Sequence, residues 1–364
     1  MTAGLAVVAD GAGGHSLAEV EIGVPGPGEV GVALAASGVC HTDLDAARTA
    51  PTAMVLGHEG AGTVTAVGEG VDRVRPGDRV LLTWSISCGT CFQCGLGNQV
   101  FCERLGLGRR GHAHPEATTM AGKPLARVFN LGTMSTATVV RQEAVVPLPE
   151  DIPFTSACIL GCGVMTGYGS VVNAARVRPG SSVVVLGCGG VGLNVIQGAR
   201  IAGAGRIIAI DVSQPRLDLA LMLGAHHVLT AEPGDAGLAE PVDQVRRLVG
   251  RRGADYAFEC TGVPDLAAAP LRFVRHGGTA VQVSGVEQDV TIDMRLFEFD
   301  KVYLNPLYGN CRPSIDFPIL LDHYRSGRLM LDELVTATYT LEGVDAAFAD
   351  MVSGANAKGV LVIG

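Results

Sequence analysis

Four of the ten cysteines stand within fifteen residues, Cys88, Cys91, Cys94 and Cys102 in the run CGTCFQCGLGNQVFC. Thiolates at the spacing Cys-x2-Cys-x2-Cys-x7-Cys can converge on one tetrahedral zinc, and a shell of four sulfurs leaves the metal no open position. The cluster reads as a structural zinc site, so any metal chemistry must come from elsewhere in the chain. The remaining candidates fall in three short segments, Cys40-His41-Thr42-Asp43, Gly57-His58-Glu59-Gly60 and Gly161-Cys162-Gly163. Each alone has a plain structural reading: an isolated cysteine is commonly a small buried hydrophobe, and an isolated histidine a surface or satisfied core residue. Two thiolates and one imidazole together make the open shell of a catalytic zinc, with the fourth position free for water or an alcohol oxygen. Such a zinc lowers the pKa of a coordinated hydroxyl toward neutrality, which makes hydride loss from the adjoining carbon feasible.

That chemistry needs a hydride acceptor. Gly187-Cys188-Gly189-Gly190-Val191-Gly192 satisfies Gly-x-Gly-x-x-Gly, in which the first glycine allows a tight turn, the second lets a pyrophosphate approach and the third lets helix pack on strand. In a chain with 50 glycines the pattern alone is weak. Context strengthens it: the apolar run Ser182 to Leu186 precedes it, a helical segment from Val191 to Ala202 comes after it, and a second apolar run from Arg206 to Ile210 ends at Asp211. A carboxylate there can accept both ribose hydroxyls of an adenosine. Asp211 also repels a 2′-phosphate and is followed by Val212 and Ser213, with no arginine beside it, which favours NAD over NADP.

The elements that must hold these groups divide the chain. The first part reads as short strands broken by glycine and proline, such as Glu29 to Ala36 and Gly62 to Val67, which suits a compact all-β domain. From about Cys162 the pattern becomes strand, helix, strand, with further strands expected at Tyr256 to Glu259 and Thr279 to Val283 and a helix from Leu266 to Val274. Such alternation implies a doubly wound parallel sheet. The closing segments, helices at Phe317 to Ser326 and Val344 to Val352 and strands at Val335 to Tyr339 and Lys358 to Ile363, are too few to bury a core alone and are expected to return to the first domain. The expected divisions are 1–162, 163–303 and 304–364. The net charge of −9 removes any general attraction to nucleic acid or anionic membrane. The start of the chain lacks a signal-like segment, and no stretch reaches the length of a membrane span, so a cytoplasmic protein is expected.

The whole chain resembles the zinc-containing alcohol dehydrogenases of the medium-chain dehydrogenase/reductase superfamily. The resemblance is carried by Cys40 with Thr42, Gly57-His58-Glu59, the four-cysteine run, Gly161-Cys162-Gly163 ahead of Thr166-Gly167-Tyr168-Gly169, and the glycines at 187–192. It implies an α/β architecture: a GroES-like, mostly-β catalytic domain plus a Rossmann coenzyme domain. It implies two zinc ions per chain, NAD as coenzyme and a small alcohol or aldehyde as substrate. Cys40, His58 and Cys162 are then the ligands of the catalytic zinc, with Glu59 a carboxylate beside it and Asp43 a partner that orients the histidine. Thr42 is a proton relay, His41 and Thr166 lie on the coenzyme, and Trp84 and Asn130 line the substrate pocket. Many relatives end the relay at a histidine three residues past the Ser or Thr. Asp45 stands there in this chain, so Asp45 or a water is expected to complete the path, with His41 a rival.

The stretch after the lobe, which includes Arg109, Arg110, His112 and His114, reads as a solvated loop. Its length resembles that of dimeric relatives, which implies a homodimer paired through the sheet edge near Asp289 to Leu304. The main rival enzyme is a thiol-adduct formaldehyde dehydrogenase, for which no clear pocket arginine is evident. A reductase dedicated to a natural-product intermediate and an NAD(H)-binding regulator without turnover are the others.

Overall fold

The computed structural model describes residues 1–105 and 118–364; Arg109, Arg110, His112 and His114 lie outside the described residues. The chain forms two compact units, one of Met1–Cys162, Arg312–Asp322 and Leu331–Gly364, the other of Gly163–Cys311 and His323–Met330. The return to the first unit comes at Arg312 and not at 304. The strand Val302–Leu304 runs parallel to Val274–Gln282, and the turn Leu307–Asn310 after it packs on the helix Gly163–Gly169, so both belong to the second unit.

Among the described residues, the first unit holds two sheets. One has six strands, with Thr2–Ala9 and His15–Ile22 paired antiparallel at its centre. The other has seven and is organised around Glu29–Gly38, in which Val30, Val32, Leu34 and Ala36 alternate into the core. Gly60–Val67, Ala137–Arg141 and the final strand Lys358–Val362 all pair with that strand. The register Val360↔Gly38 brings Lys358 beside the end of Glu29–Gly38, where the chain turns toward Cys40.

An all-β reading of this unit misses the helix His41–Thr49. Its inward face is Asp43, Leu44 and Ala47, at helical spacing, with Ala46 half-buried beside it and the rest polar. Cys40 is its N-cap, with an extended backbone at φ −133° and ψ 150°.

The second unit is a six-stranded parallel sheet in the order His227–Thr230, Arg206–Asp211, Ser182–Leu186, Ala254–Glu259, Val274–Gln282, Val302–Leu304. Numbered along the chain this is 3-2-1-4-5-6, the order of dinucleotide-binding sheets. Val184, Leu186, Ile208 and Ile210 are buried on the central strands, as continuous apolar runs in a parallel sheet require. The helix expected from Leu266 to Val274 is cut to a turn at Pro264–Leu266 and a short helix at Pro270–Phe273. Proline at 270 has no N–H to continue an earlier turn, and the chain extends from Val274 into a strand that Gly277 and Gly278 had hidden. Among the described residues, no single helix is long and apolar enough to cross a membrane.

Candidate active site

Among the described residues, two groups of metal-ligating side chains have their ligand atoms within 4.8 Å of one another: Cys88, Cys91, Cys94 and Cys102, and Cys40, His58, Glu59 and Cys162. Both lie in the first unit.

The four-cysteine group is made locally. A one-turn helix, Phe92–Gly95, carries Cys94 and is capped by Cys91, and a 3-10 turn, Gln99–Phe101, delivers Cys102. Backbone N–H groups point at the sulfurs: Cys88 N and Arg104 N donate to Cys102 Sγ at 3.2 and 3.4 Å, and Thr90 N donates to Cys88 Sγ at 3.5 Å. Such donors stabilise thiolates. Four converging sulfurs with amide donors fit a closed zinc shell.

The second group is assembled from three distant segments. Cys40 is the N-cap of the helix His41–Thr49, and Cys162 follows a turn at Ile159–Gly161. His58 and Glu59 follow Gly57, whose φ of +95° favours glycine and whose Cβ, if present, would stand 2.2 Å from Met134 N. His58 is fully buried. Its Nδ1–H donates to Asp43 Oδ1 at 3.0 Å, and the same oxygen accepts Gly57 N at 2.9 Å. Asp43 thus fixes both the turn and the imidazole, leaving Nε2 as the free lone pair, and Nε2 is buried with no hydrogen-bond partner. A buried nitrogen in that position is completed by a cation, a proton in the metal-free cluster or a metal bound in its place. The donor set of two sulfurs, one imidazole nitrogen and a nearby carboxylate fits zinc.

Electrostatics within the group are strongly coupled. Burial disfavours a charged imidazole, but the attraction and hydrogen bond of Asp43, with Cys40 adding to them, hold the His58 pKa well above its ordinary value. The Cys40 thiol is held well below its ordinary range, first by the hydrogen bond from Cys162 and then, against burial, by His58. Burial raises Glu59 to about 7 even though Lys358 opposes the rise. Lys358 Nζ donates to Glu59 Oε1 at 2.7 Å and to Val39 O at 2.9 Å, while Glu59 Oε2 is buried and unpartnered. Sequence reasoning missed Lys358. The available signal was a lysine opening the apolar run KGVLV, and only strand pairing shows where it goes.

In the second unit, the strand Ser182–Leu186 leads through Gly187 and Cys188 to Gly189, the N-cap of the twelve-residue helix Gly190–Ile201. At Gly192 a Cβ would meet Gly187 O at 1.8 Å, so helix and strand approach too closely for any side chain, whereas a Cβ at Gly189 would meet open space. Val191 sits in the first turn of that helix. Asp211 ends the next strand; its Oδ2 accepts Cys188 N at 2.6 Å and its Oδ1 accepts Ser213 N at 2.8 Å, which sets the carboxylate across the glycine turn. Thr166 is half-buried on the helix Gly163–Gly169, which packs on Gly190–Ile201.

The family model of the alcohol dehydrogenase GroES-like domain matches residues 26–150, and that of zinc-binding dehydrogenases matches residues 190–323. Over 359 residues, 95% of each chain, the sequence is 35% identical to the putative alcohol dehydrogenase D of Mycobacterium tuberculosis. The chain belongs to the zinc-containing alcohol dehydrogenases of the medium-chain dehydrogenase/reductase superfamily. It is 32% identical over 371 residues to the S-(hydroxymethyl)glutathione dehydrogenase of Paracoccus denitrificans, covering 96% of this chain and 97% of that one. The crystal structure of benzyl alcohol dehydrogenase from Acinetobacter calcoaceticus matches with a TM-score of 0.89 at 30% identity, over all of both chains. The protein is an oxidoreductase, a zinc-dependent alcohol dehydrogenase of mixed α/β architecture with GroES-like and Rossmann parts.

Other expected site residues of this alcohol dehydrogenase are placed with less convergence. His41, Thr42 and Asp45 are exposed on the helix that Cys40 caps. Thr42 and Asp45 share a face at i and i+3, but no hydrogen bond joins their side chains; Thr49 Oγ1 donates to the backbone oxygen of Asp45. Trp84 is only 8% exposed and lies under Phe129, stacked at 4.9 Å between ring centroids. Asn130 is half-buried in the left-handed region at φ 62°.

Proposed function

We propose that this alcohol dehydrogenase interconverts a primary alcohol and its aldehyde with NAD as the hydride carrier. The observation that carries the reading is the convergence of Cys40, His58 and Cys162 around a buried, unpartnered His58 Nε2. When bound, zinc polarises the alcohol or carbonyl oxygen and NAD takes up or returns the hydride. Cys40, His58 and Cys162 would hold the metal, with the buried, unpartnered Glu59 Oε2 beside them. Asp43 keeps His58 in the tautomer that presents Nε2 outward. Thr42 takes the alcohol proton and passes it on; its exposed position supports a path that ends at water or at Asp45. Gly187, Gly189, Gly190, Val191 and Gly192 cradle the pyrophosphate, with His41 and Thr166 contributing, and Asp211 binds the adenosine ribose. Repulsion between Asp211 and a 2′-phosphate supports NAD.

Zinc-loaded protein given primary alcohols and NAD should produce NADH, and far less NADPH when NADP replaces NAD. No turnover with any primary alcohol or aldehyde in either direction contradicts the reading. A second reading is favoured by the relative that acts on S-(hydroxymethyl)glutathione. Formaldehyde with glutathione should be tested alongside; a strong preference for that mixture selects it.

A homodimer is part of the proposal. Val302–Leu304 is the edge strand of its sheet, and Met294, Phe299 and Val302 nearby are exposed apolar residues. An edge strand with apolar flanks is suited to pairing with a second copy. Light scattering should report twice the chain mass.

A further inference from the structure

Glu259 is a carboxylate inside the second unit that none of the chemistry above uses. It ends the strand Ala254–Glu259 and is fully buried. A charge taken that far from water is costly unless donors or a cation meet it. Among the described residues only donors do. Thr261 N donates to Oε1 at 2.6 Å and Gln282 Nε2 to Oε2 at 2.7 Å; the Thr261 hydroxyl adds a short bond to Oε1 and Gly262 N a long one, 3.4 Å, to Oε2. Four donors and no acceptor describe an ionised group. Burial raises its pKa, against the hydrogen bonds from Thr261, Gln282 and Gly262.

The donors come from two places. Thr261 and Gly262 lie in the turn after the strand, whereas Gln282 ends the neighbouring strand, and its Nε2 also donates to Ser284 O at 2.9 Å. Gln282 anchors the carboxylate to the sheet, and the carboxylate anchors the turn. What the turn touches gives that clamp a function. A Cβ on Gly187, the first glycine of the Gly-x-Gly-x-x-Gly turn, would stand 2.7 Å from Thr261 Cγ2 and 3.0 Å from Thr261 N, so the Thr261 turn packs directly on that glycine. The strands concerned, Ser182–Leu186 and Ala254–Glu259, are the adjacent pair at which the strand order reverses, and a dinucleotide binds in the crevice beyond their carboxyl ends.

We infer that Glu259 is a positioning residue for the coenzyme: its buried carboxylate locks the Thr261 turn against Gly187 and so fixes one wall of the dinucleotide crevice. The inference rests on reading the glycine turn as the NAD site. Glu259 acts through Thr261 and not by contact.

The test titrates NADH against the zinc-loaded full chain and reads the change in nicotinamide fluorescence. Glu259→Gln keeps the shape but turns one acceptor into a donor facing Gln282, and should weaken NADH binding by about threefold to tenfold. Thr261→Val keeps a methyl on Gly187 and removes the hydroxyl, and should weaken binding by about threefold. Because both act on one turn, the double variant should fall short of the product of the two losses by about twofold or more. The alcohol KM at saturating NAD should stay within about twofold in each variant, a split that general damage to the fold does not produce. An NADH Kd unchanged in Glu259→Gln overturns the inference, even if the thermal midpoint falls, and so do losses that multiply in full. If Glu259→Gln does not fold, Thr261→Val carries the test, and an unchanged Kd there overturns it. A wild type that binds NADH no better than its variants do removes the clamp and leaves the NAD reading intact. A wild type that binds no NADH overturns both.

Discussion

The two cysteine-bearing clusters of the first unit are built in opposite ways. Cys88 to Cys102 lie in one short run, with exposed Phe92, Leu96 and Phe101 around them and backbone amides as their main support. Cys40, His58 and Cys162 come from three distant segments, and their support is buried charge: Asp43 on His58, and Lys358 on Glu59. The first arrangement has little apolar core, so its order depends on the metal. The second is framed by sheets and a helix that exist for other reasons, so it can leave a coordination position open without losing the fold. On the proposed reading the closed site serves structure and the open one chemistry, and substitutions should separate the two.

The largest expected effect is on the local cluster. Cys94→Ser leaves three sulfurs, and because metal binding there is folding free energy, the thermal midpoint should fall by about 10 °C or more. Calorimetry of zinc-loaded protein checks this; an unchanged midpoint removes the structural role. Cys40→Ser should do the reverse, lowering turnover about a thousandfold or more while the midpoint shifts little. Steady-state rates together with a melting curve decide it.

Lys358→Met probes the buried support. Removing one partner of a buried ion pair typically costs about 3–5 kcal/mol, because the other group must stay charged without compensation or take up a proton, as Glu59 would when Lys358 no longer opposes its rise. Denaturant unfolding should show a loss approaching that size, and Glu59→Gln combined with Lys358→Met should recover much of it. A loss confined to the single variant identifies the pair as the cause. Asp43→Asn is the smallest change. It keeps the shape but weakens the hold on the His58 tautomer, so zinc affinity or turnover should drop by about 10- to 100-fold. Competition with a chelator measures the affinity directly, and an unchanged affinity and rate would show that Gly57 and packing alone orient the imidazole.

The contrast between the clusters also explains what could be read from sequence. Local features were legible: the four-cysteine spacing, the glycine turn flanked by Ser182–Leu186 and Gly190–Ile201, and Asp211 at the end of Arg206–Asp211. The open cluster was legible only as three weak segments whose convergence came from resemblance. Lys358 was out of reach because its partner Glu59 is 299 residues away and antiparallel register alone unites them. The helix His41–Thr49 was overlooked because nine residues with three inward positions give little periodic signal beside strands on either side.

Zinc content per folded chain, measured by elemental analysis on wild type, Cys40→Ser and Cys94→Ser, tests the two-site account most directly. Wild type should hold two zinc ions, and each variant one. Turnover should be lost in Cys40→Ser, while the Cys94→Ser chains that fold should retain some. One zinc per wild-type chain, or Cys40→Ser with two zinc ions and full turnover, would contradict the division of labour between the closed cluster and the open one.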